Sequence, residues 1–185
     1  TASFANANAG VGKTVTSTGY SLADGNNGGL ASNYVLSSAS STTTADITQK
    51  ALTVVGQGAA SKTYDGGNVA SLSGGSLLGV IGSEDVTLSQ AGAFNSANAG
   101  TAIGVTPANG LIGAGASNYS LTQPTGLAAD ILAKPVTING LVATNRVYDG
   151  TAAATVGNWG AVATGVGGET LVLNHGAASF ANANA

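Results

Sequence analysis

Tyrosine, aspartate and glycine stand in succession twice in this chain, as Tyr64-Asp65-Gly66 and Tyr148-Asp149-Gly150. A basic residue lies two positions ahead of each, Lys62 and Arg146. A carboxylate, a phenol and a cation are the raw materials for proton transfer or metal binding. Either role asks for further carboxylates or a histidine converging on one point. His175 is the only histidine and there is no cysteine. That excludes multi-histidine and thiolate metal sites, a cysteine nucleophile and a disulfide. Serines abound, but no segment places one in a nucleophile elbow. The spacing suits a turn instead. The Asp carboxylate accepts a bond from the backbone N–H two residues on, the Gly takes positive φ, and the Tyr ring covers a small core with its hydroxyl at the rim. Lys62 and Arg146 then share the strand face of the tyrosine that follows.

The other constellations yield no catalyst. Ala7-Asn8-Ala9-Gly10-Val11-Gly12-Lys13-Thr14 fits a permissive phosphate-loop pattern, which needs a helix after it so that helix N–H groups face the phosphates. Val15-Thr16-Ser17-Thr18-Gly19 is a poor helix former. Glu84-Asp85 offers oxygens suited to Ca²⁺, but neighbours on a strand point to opposite faces, and a solvated turn is the competing reading. Asn118-Tyr119-Ser120 matches a glycosylation sequon that its counterpart Asn33-Tyr34-Val35 does not. Trp159 and the tyrosines can stack on sugars but are too sparse for a platform, and read as anchors of small cores. The expectation is no enzyme, no cofactor and no metal.

These residues recur in phase. Phe4-Ala5-Asn6-Ala7-Asn8-Ala9-Gly10 returns as Phe94-Asn95-Ser96-Ala97-Asn98-Ala99-Gly100 and as Phe180-Ala181-Asn182-Ala183-Asn184-Ala185, at offsets of 90 and 86. Ala31-Ser32-Asn33-Tyr34 returns as Ala116-Ser117-Asn118-Tyr119, offset 85, and Ala45-Asp46-Ile47 as Ala129-Asp130-Ile131, offset 84. Gly82-Ser83-Glu84-Asp85-Val86-Thr87-Leu88 resembles Gly167-Gly168-Glu169-Thr170-Leu171-Val172-Leu173, although the acidic pair is not kept. Between Phe and Tyr the first copy is five residues longer, the surplus lying at Asp24-Gly25-Asn26-Asn27-Gly28-Gly29, a turn with an insertion. The phase divides the chain into the back half of one repeat (1–49), a whole repeat (50–134) and the front half of the next (135–185). Near-copies in tandem argue for a molecule that works by repetition and length.

Composition points the same way. Charged residues make up 7% of the chain, too few for a solvated disordered segment or a long salt-bridged helix. The five basic residues are scattered and the net charge is −3. No basic patch can be assembled for nucleic acid or an anionic membrane, and no apolar run is long enough to span a bilayer.

Short runs of β-formers alternate with Gly/Asn/Ser punctuation and predict strands. They are Thr14-Val15-Thr16, Tyr34-Val35-Leu36, Ala51–Val55, Val86-Thr87-Leu88, Tyr119-Ser120-Leu121, Val136-Thr137-Ile138 and Leu171-Val172-Leu173. Leu77-Leu78-Gly79-Val80-Ile81 reads either as one helical turn or as a buried strand. Residues 46–55 and 130–138 contain no Gly, and Pro135 stiffens the second. Both are expected to be extended strands linking one repeat to the next. The fold expected is all-β, small sandwich-like or β-grasp-like domains stacked end to end as a rod.

The ordered set Asn-Tyr-x-Leu, Ala-Asp-Ile-x-x-Lys, Lys/Arg-x-Tyr-Asp-Gly, Gly-x-Glu and Phe-x-x-Ala-Asn-Ala-Gly covers essentially the whole chain. It resembles the YDG and MBG (mostly β, glycine-rich) repeats of large bacterial surface adhesins of the filamentous-haemagglutinin type. The resemblance implies export to the bacterial cell surface and an extracellular stalk or spacer role in cell adhesion and biofilm formation. The structural repeat motif is then Tyr64, Asp65, Gly66, Tyr148, Asp149, Gly150, Asn33, Tyr34, Asn118 and Tyr119. A second reading has the polar faces of the repeats bind exopolysaccharide or neighbouring adhesin molecules directly.

Overall fold

The computed structural model describes residues 1–182; Ala183-Asn184-Ala185, the end of the third repeated phrase, lies outside the described residues. Among the described residues there is no α-helix. The repeated Ala-Ser-Asn forms a single 3-10 turn in both copies, Ala31–Asn33 and Ala116–Asn118. The remaining regular structure is strand, with one sheet curled into a half-barrel. The chain divides into two compact units that cut across the repeat period: Thr1–Gly58 with Leu72–Gly92 and Thr106–Leu127, and Ala59–Ser71 with Ala93–Val105 and Ala128–Ala185.

The first unit carries a three-stranded antiparallel sheet, Ala2–Phe4, Gly10–Thr18 and Ser40–Ile47, with Val15 opposite Thr43 and Thr16 opposite Thr42. Its Thr- and Val-rich strands suit a pleated ladder. Its core lies in a second sheet, where Tyr119–Thr122 pairs in parallel with Lys50–Val55, which pairs antiparallel with Ser76–Leu78. Leu52, Val86 and Tyr119 close this core, with Leu77, Val80, Leu111 and Leu121 against it. Leu52 and Val86 come from the front half of the whole repeat and Tyr119 from its back half, so the core forms only when both halves are present. The buried Asn109 exchanges side-chain hydrogen bonds with Gln57 (2.8 and 3.0 Å), and its backbone pairs with the Gln123 amide. Its polar atoms are thereby satisfied away from water.

The second unit holds a five-stranded sheet ordered Lys62–Thr63, Ala128–Leu132, Gly100–Pro107, Gly92–Phe94, Val69–Ala70. Ala70, Phe94, Val105, Ala129 and Ile131 form its buried apolar set. It also holds a sheet of Ile138–Thr144, Ala153–Val162 and Ala178–Ser179. Ile138 faces Val162 and Asn139 faces Ala161, the register that Val54–Leu77 and Val55–Ser76 have in the whole repeat.

Several expected strands are absent. Tyr34-Val35-Leu36 and Leu171-Val172-Leu173 join no ladder, and Val136-Thr137 lies outside the strand that starts at Ile138. Their counterparts in the whole repeat are paired or buried: Tyr119–Thr122 lies on Lys50–Val55, and Val86 is in the core. The sequence preference is the same in each case; what differs is whether a strand lies alongside to pair with. The links are likewise interrupted, at Thr48-Gln49 and over 133–137. Leu77 lies in the strand Ser76–Leu78, which resolves the helix-or-strand alternative. The phosphate-loop-like stretch runs into the strand Gly10–Thr18, with no helix N-terminus, and the Lys13 ammonium is bound to Asn6 and to the Asn8 carbonyl.

Candidate functional site

The Tyr-Asp-Gly turn is built the same way in both copies. Asp65 Oδ1 accepts the Gly67 N–H at 2.9 Å, and Asp149 Oδ1 accepts the Thr151 N–H at 2.9 Å. Gly66 and Gly150 have φ of 82° and 77°, a region L residues rarely occupy. The basic residue closes the turn. Lys62 Nζ donates to Asp65 Oδ1 and to the Gly67 carbonyl, both at 2.7 Å, while Arg146 pairs with Asp149 and Thr151. The lysine bond, seconded by the Gly67 N–H, holds the Asp65 carboxyl below the usual range. For Asp149 the Thr151 N–H and hydroxyl lead, with Arg146 behind them.

Each cation also sits over a phenylalanine from the repeated Phe-Ala-Asn phrase. Lys62 Nζ is 5.8 Å from the centroid of Phe94, and Arg146 Cζ is 5.4 Å from that of Phe180. The phenylalanine N–H donates back to the chain just beyond the turn, Phe94 to the Asn68 carbonyl (2.7 Å) and Phe180 to that of Ala152 (2.6 Å). Cation, turn and ring thus form one module across some thirty residues of chain. Sequence reading put the cation beside the tyrosine; in three dimensions its contacts are the aspartate and the distant phenylalanine.

A second recurring element is the glutamate of Gly-x-Glu. In the first unit Tyr119 Oη donates to Glu84 Oε2 at 2.7 Å and accepts the Ile81 N–H at 3.1 Å. In the second unit Tyr64 Oη donates to Glu169 Oε1. Hydrogen bonding to the glutamate raises both phenol pKa values above the usual tyrosine range, because it favours the protonated form. Glu84 and Asp85 lie in a turn ahead of the strand Thr87–Ser89, and Asp85 Oδ2 accepts the Ala114 N–H at 3.0 Å. The two carboxylates serve different loops.

The Ala-Asp-Ile aspartates supply a third. Asp46 Oδ1 accepts the Gly12 N–H (2.7 Å) and Asp130 Oδ1 the Ala102 N–H (2.8 Å), each at a register shift in the adjoining strand. Pinning the bulge is a backbone role, and its only sequence signal was the recurrence of the aspartate.

Asn118 and Tyr119 are engaged: Asn118 Oδ1 accepts the Ala9 N–H at 2.9 Å, and Tyr119 is 4% exposed. Tyr34, its counterpart beside Asn33, is 66% exposed, and Tyr148 is 67% exposed. In the second unit an open groove of about 270 Å³ runs along Tyr64, Ala99, Lys134, Val136, Val166 and Glu169. Residues of the whole repeat and of the following half-repeat line it together. Trp159 stacks on His175, centroids 3.9 Å apart and planes within 8°.

Comparison with curated proteins and with solved structures returned no match. The sequence profile of the YDG domain matches residues 48–126 and 132–185, the stretches that carry both Tyr-Asp-Gly turns and both glutamate partners. On that match, which spans most of the chain, this protein belongs to the YDG domain family.

Proposed function

We propose that these repeats are structural stalk or spacer units of an extracellular bacterial adhesin, holding a distal binding region away from the cell and so supporting adhesion and biofilm formation. The observation that carries the reading is the groove shared by consecutive repeats, with Tyr64 of one on Glu169 of the next. A hydrogen-bonded junction resists bending where a Gly/Ser tether would leave neighbours free to tumble. The repeating polar groups are spent on backbone: Asp65 and Asp149 on turns, Asp46 and Asp130 on bulges. A spacer has to fold, stay stiff and survive outside the cell, and each of these contacts serves that.

The alternative, direct binding of exopolysaccharide or neighbouring adhesins, needs convergent polar groups and an aromatic face. The groove offers one tyrosine, and its hydroxyl is already given to Glu169. Pull-down of the repeats on a panel of bacterial polysaccharides separates the two readings. The stalk reading expects no retention above a scrambled-sequence control. Retention that is lost on Tyr64→Ala would replace it with the binding reading.

A further inference from the structure

Among the described residues Asn109 is the one side chain bearing an amide or a charge that is buried. It joins the two halves of the whole repeat. Gln57 Nε2 donates to Asn109 Oδ1 at 3.0 Å, and Asn109 Nδ2 donates to Gln57 Oε1 at 2.8 Å, a reciprocal pair of amide bonds. Each partner is braced within its own half. Gln57 Nε2 also donates to Gln90 Oε1 at 2.8 Å. The Asn109 N–H and carbonyl are both held by the Gln123 amide, at 3.1 and 2.7 Å. The Ala91 N–H, from the front half, adds a bond to Asn109 Oδ1 at 3.3 Å. The front half thus presents one fixed amide and the back half another, matched donor to acceptor.

The neighbouring repeats do not carry this pair. Gly56 and Gly140, with φ of 70° and 79°, align the two front halves. The residue after each is Gln57 in the whole repeat and Leu141 in the next. At the offset that relates Glu84 to Glu169, Gln90 becomes His175. There the ladder sets Trp159 opposite Leu141, and Trp159 stacks on His175 at 3.9 Å. At the offset that relates Tyr119 to Tyr34 in the preceding repeat, Gln123 becomes Ser38, a far shorter side chain.

We infer that the Gln57–Asn109 pair is a recognition key. It makes the front half of this repeat select its own back half, and the unlike residues at the same positions next door keep neighbouring near-copies from cross-pairing. Tandem repeats misassemble by exchanging equivalent segments. The apolar positions recur too closely to prevent this, since Leu88 has Leu173 as its counterpart and Val54 has Ile138. A crossed pair sets Asn109 against Leu141 and His175, and its buried amide loses the Gln57 bonds away from water. An unpaired buried polar group discriminates more sharply than a small misfit between apolar side chains. The partner surface that Asn109 fits is one presenting a side-chain amide at the position of Gln57. Such a key is useful in any tandem array, whether or not the array serves as a stalk.

The chain has no cysteine, so an intrachain competition reads the choice. Thr87 pairs with Ile112 two residues from the key, and the counterpart of Thr87 is Val172. All three side chains are exposed. A Thr87→Cys/Ile112→Cys/Val172→Cys chain is refolded from urea in dilute thiol–disulfide buffer. Position 112 then closes on 87 or on 172, and peptide mapping gives the ratio. Leu141→Gln with His175→Gln builds a second matching front half and leaves the native one untouched. The expected result is a rise of about tenfold or more in the crossed 112–172 product relative to the 87–112 product. Leu141→Met with His175→Gln is the control, as long as glutamine but without its amide, and should leave the ratio where it was. A ratio unmoved by the Leu141→Gln chain, or moved equally by the Leu141→Met chain, would overturn the key and leave the amides a purely structural role.

Discussion

Phe94, Phe4 and Phe180 occupy one repeat position in three surroundings, and truncating each to alanine reads how much a whole repeat adds over a half. Phe94 is 2% exposed, Phe4 40% and Phe180 41%. A fully buried phenylalanine removes about 150–250 Å² from water, and Phe→Ala in a closed core costs about 3–5 kcal/mol because a cavity remains. Phe94 lies under the Lys62 ammonium and shares the buried set with Val105 and Ile131, so Phe94→Ala is expected in that range. The other two rings bury roughly three-fifths of that area at open sites which water fills, so the cavity contribution falls away and about 1–2 kcal/mol remains. Urea unfolding followed by circular dichroism and by the fluorescence of the single Trp159 gives the three values, best taken in dilute solution. Equal costs at the three positions, within about 0.5 kcal/mol, would refute the claim that the core closes only in the whole repeat.

Further outcomes follow from the turns and the tyrosine bonds. Asp65→Ala and Asp149→Ala should each lower the melting temperature by about 2–4 °C at pH 7, the effect of losing one turn bond in a chain of this size. Both carboxyls have depressed folded values, so their contribution is present above the unfolded carboxylate range, about 4, and is lost as pH falls through the folded values. A pH series of melts should therefore be flatter below pH 4 in the double variant than in the parent. For Tyr64 and Tyr119 the folded values are raised. Their contribution is full below about pH 10, the unfolded value, and is lost as pH rises through the folded ones, so Tyr64→Phe with Tyr119→Phe should blunt alkaline destabilisation in the same assay. Gly66→Ala meets both a positive φ and Val166 Cγ1 at 2.6 Å, whereas Gly126 has φ 76° with nothing within 4 Å. Gly126→Ala should cost about 1–2 kcal/mol from backbone strain alone and Gly66→Ala more than about 2, as measured by urea midpoint shifts.

What the sequence disclosed followed the range of the forces involved. The turn bond of Asp65 to Gly67 is local, two residues apart, and its signature is a short string. The all-β class was legible because Thr/Val alternation and Gly/Asn punctuation act within a few residues. Tyr34-Val35-Leu36 and Tyr119-Ser120-Leu121 have the same local propensity, yet only the second is a strand, because only there does a 50–55 segment lie alongside to pair with. Strand formation is a property of the partner as much as of the string. The contacts of Lys62 with Phe94 and of Tyr64 with Glu169 were illegible for a similar reason, since they join residues far apart in sequence. In hindsight the signal for both was the recurrence of each partner at the repeat offset.

The stalk account stands or falls on how length grows with repeat number. Arrays of two, four and six repeats, compared by small-angle scattering, give the maximum dimension directly. A stiff array of compact domains adds about 30–40 Å for each repeat, so the account predicts a straight line against repeat number, unaffected by added polysaccharide. Growth closer to the square root of repeat number would mean a freely jointed chain and would contradict the account.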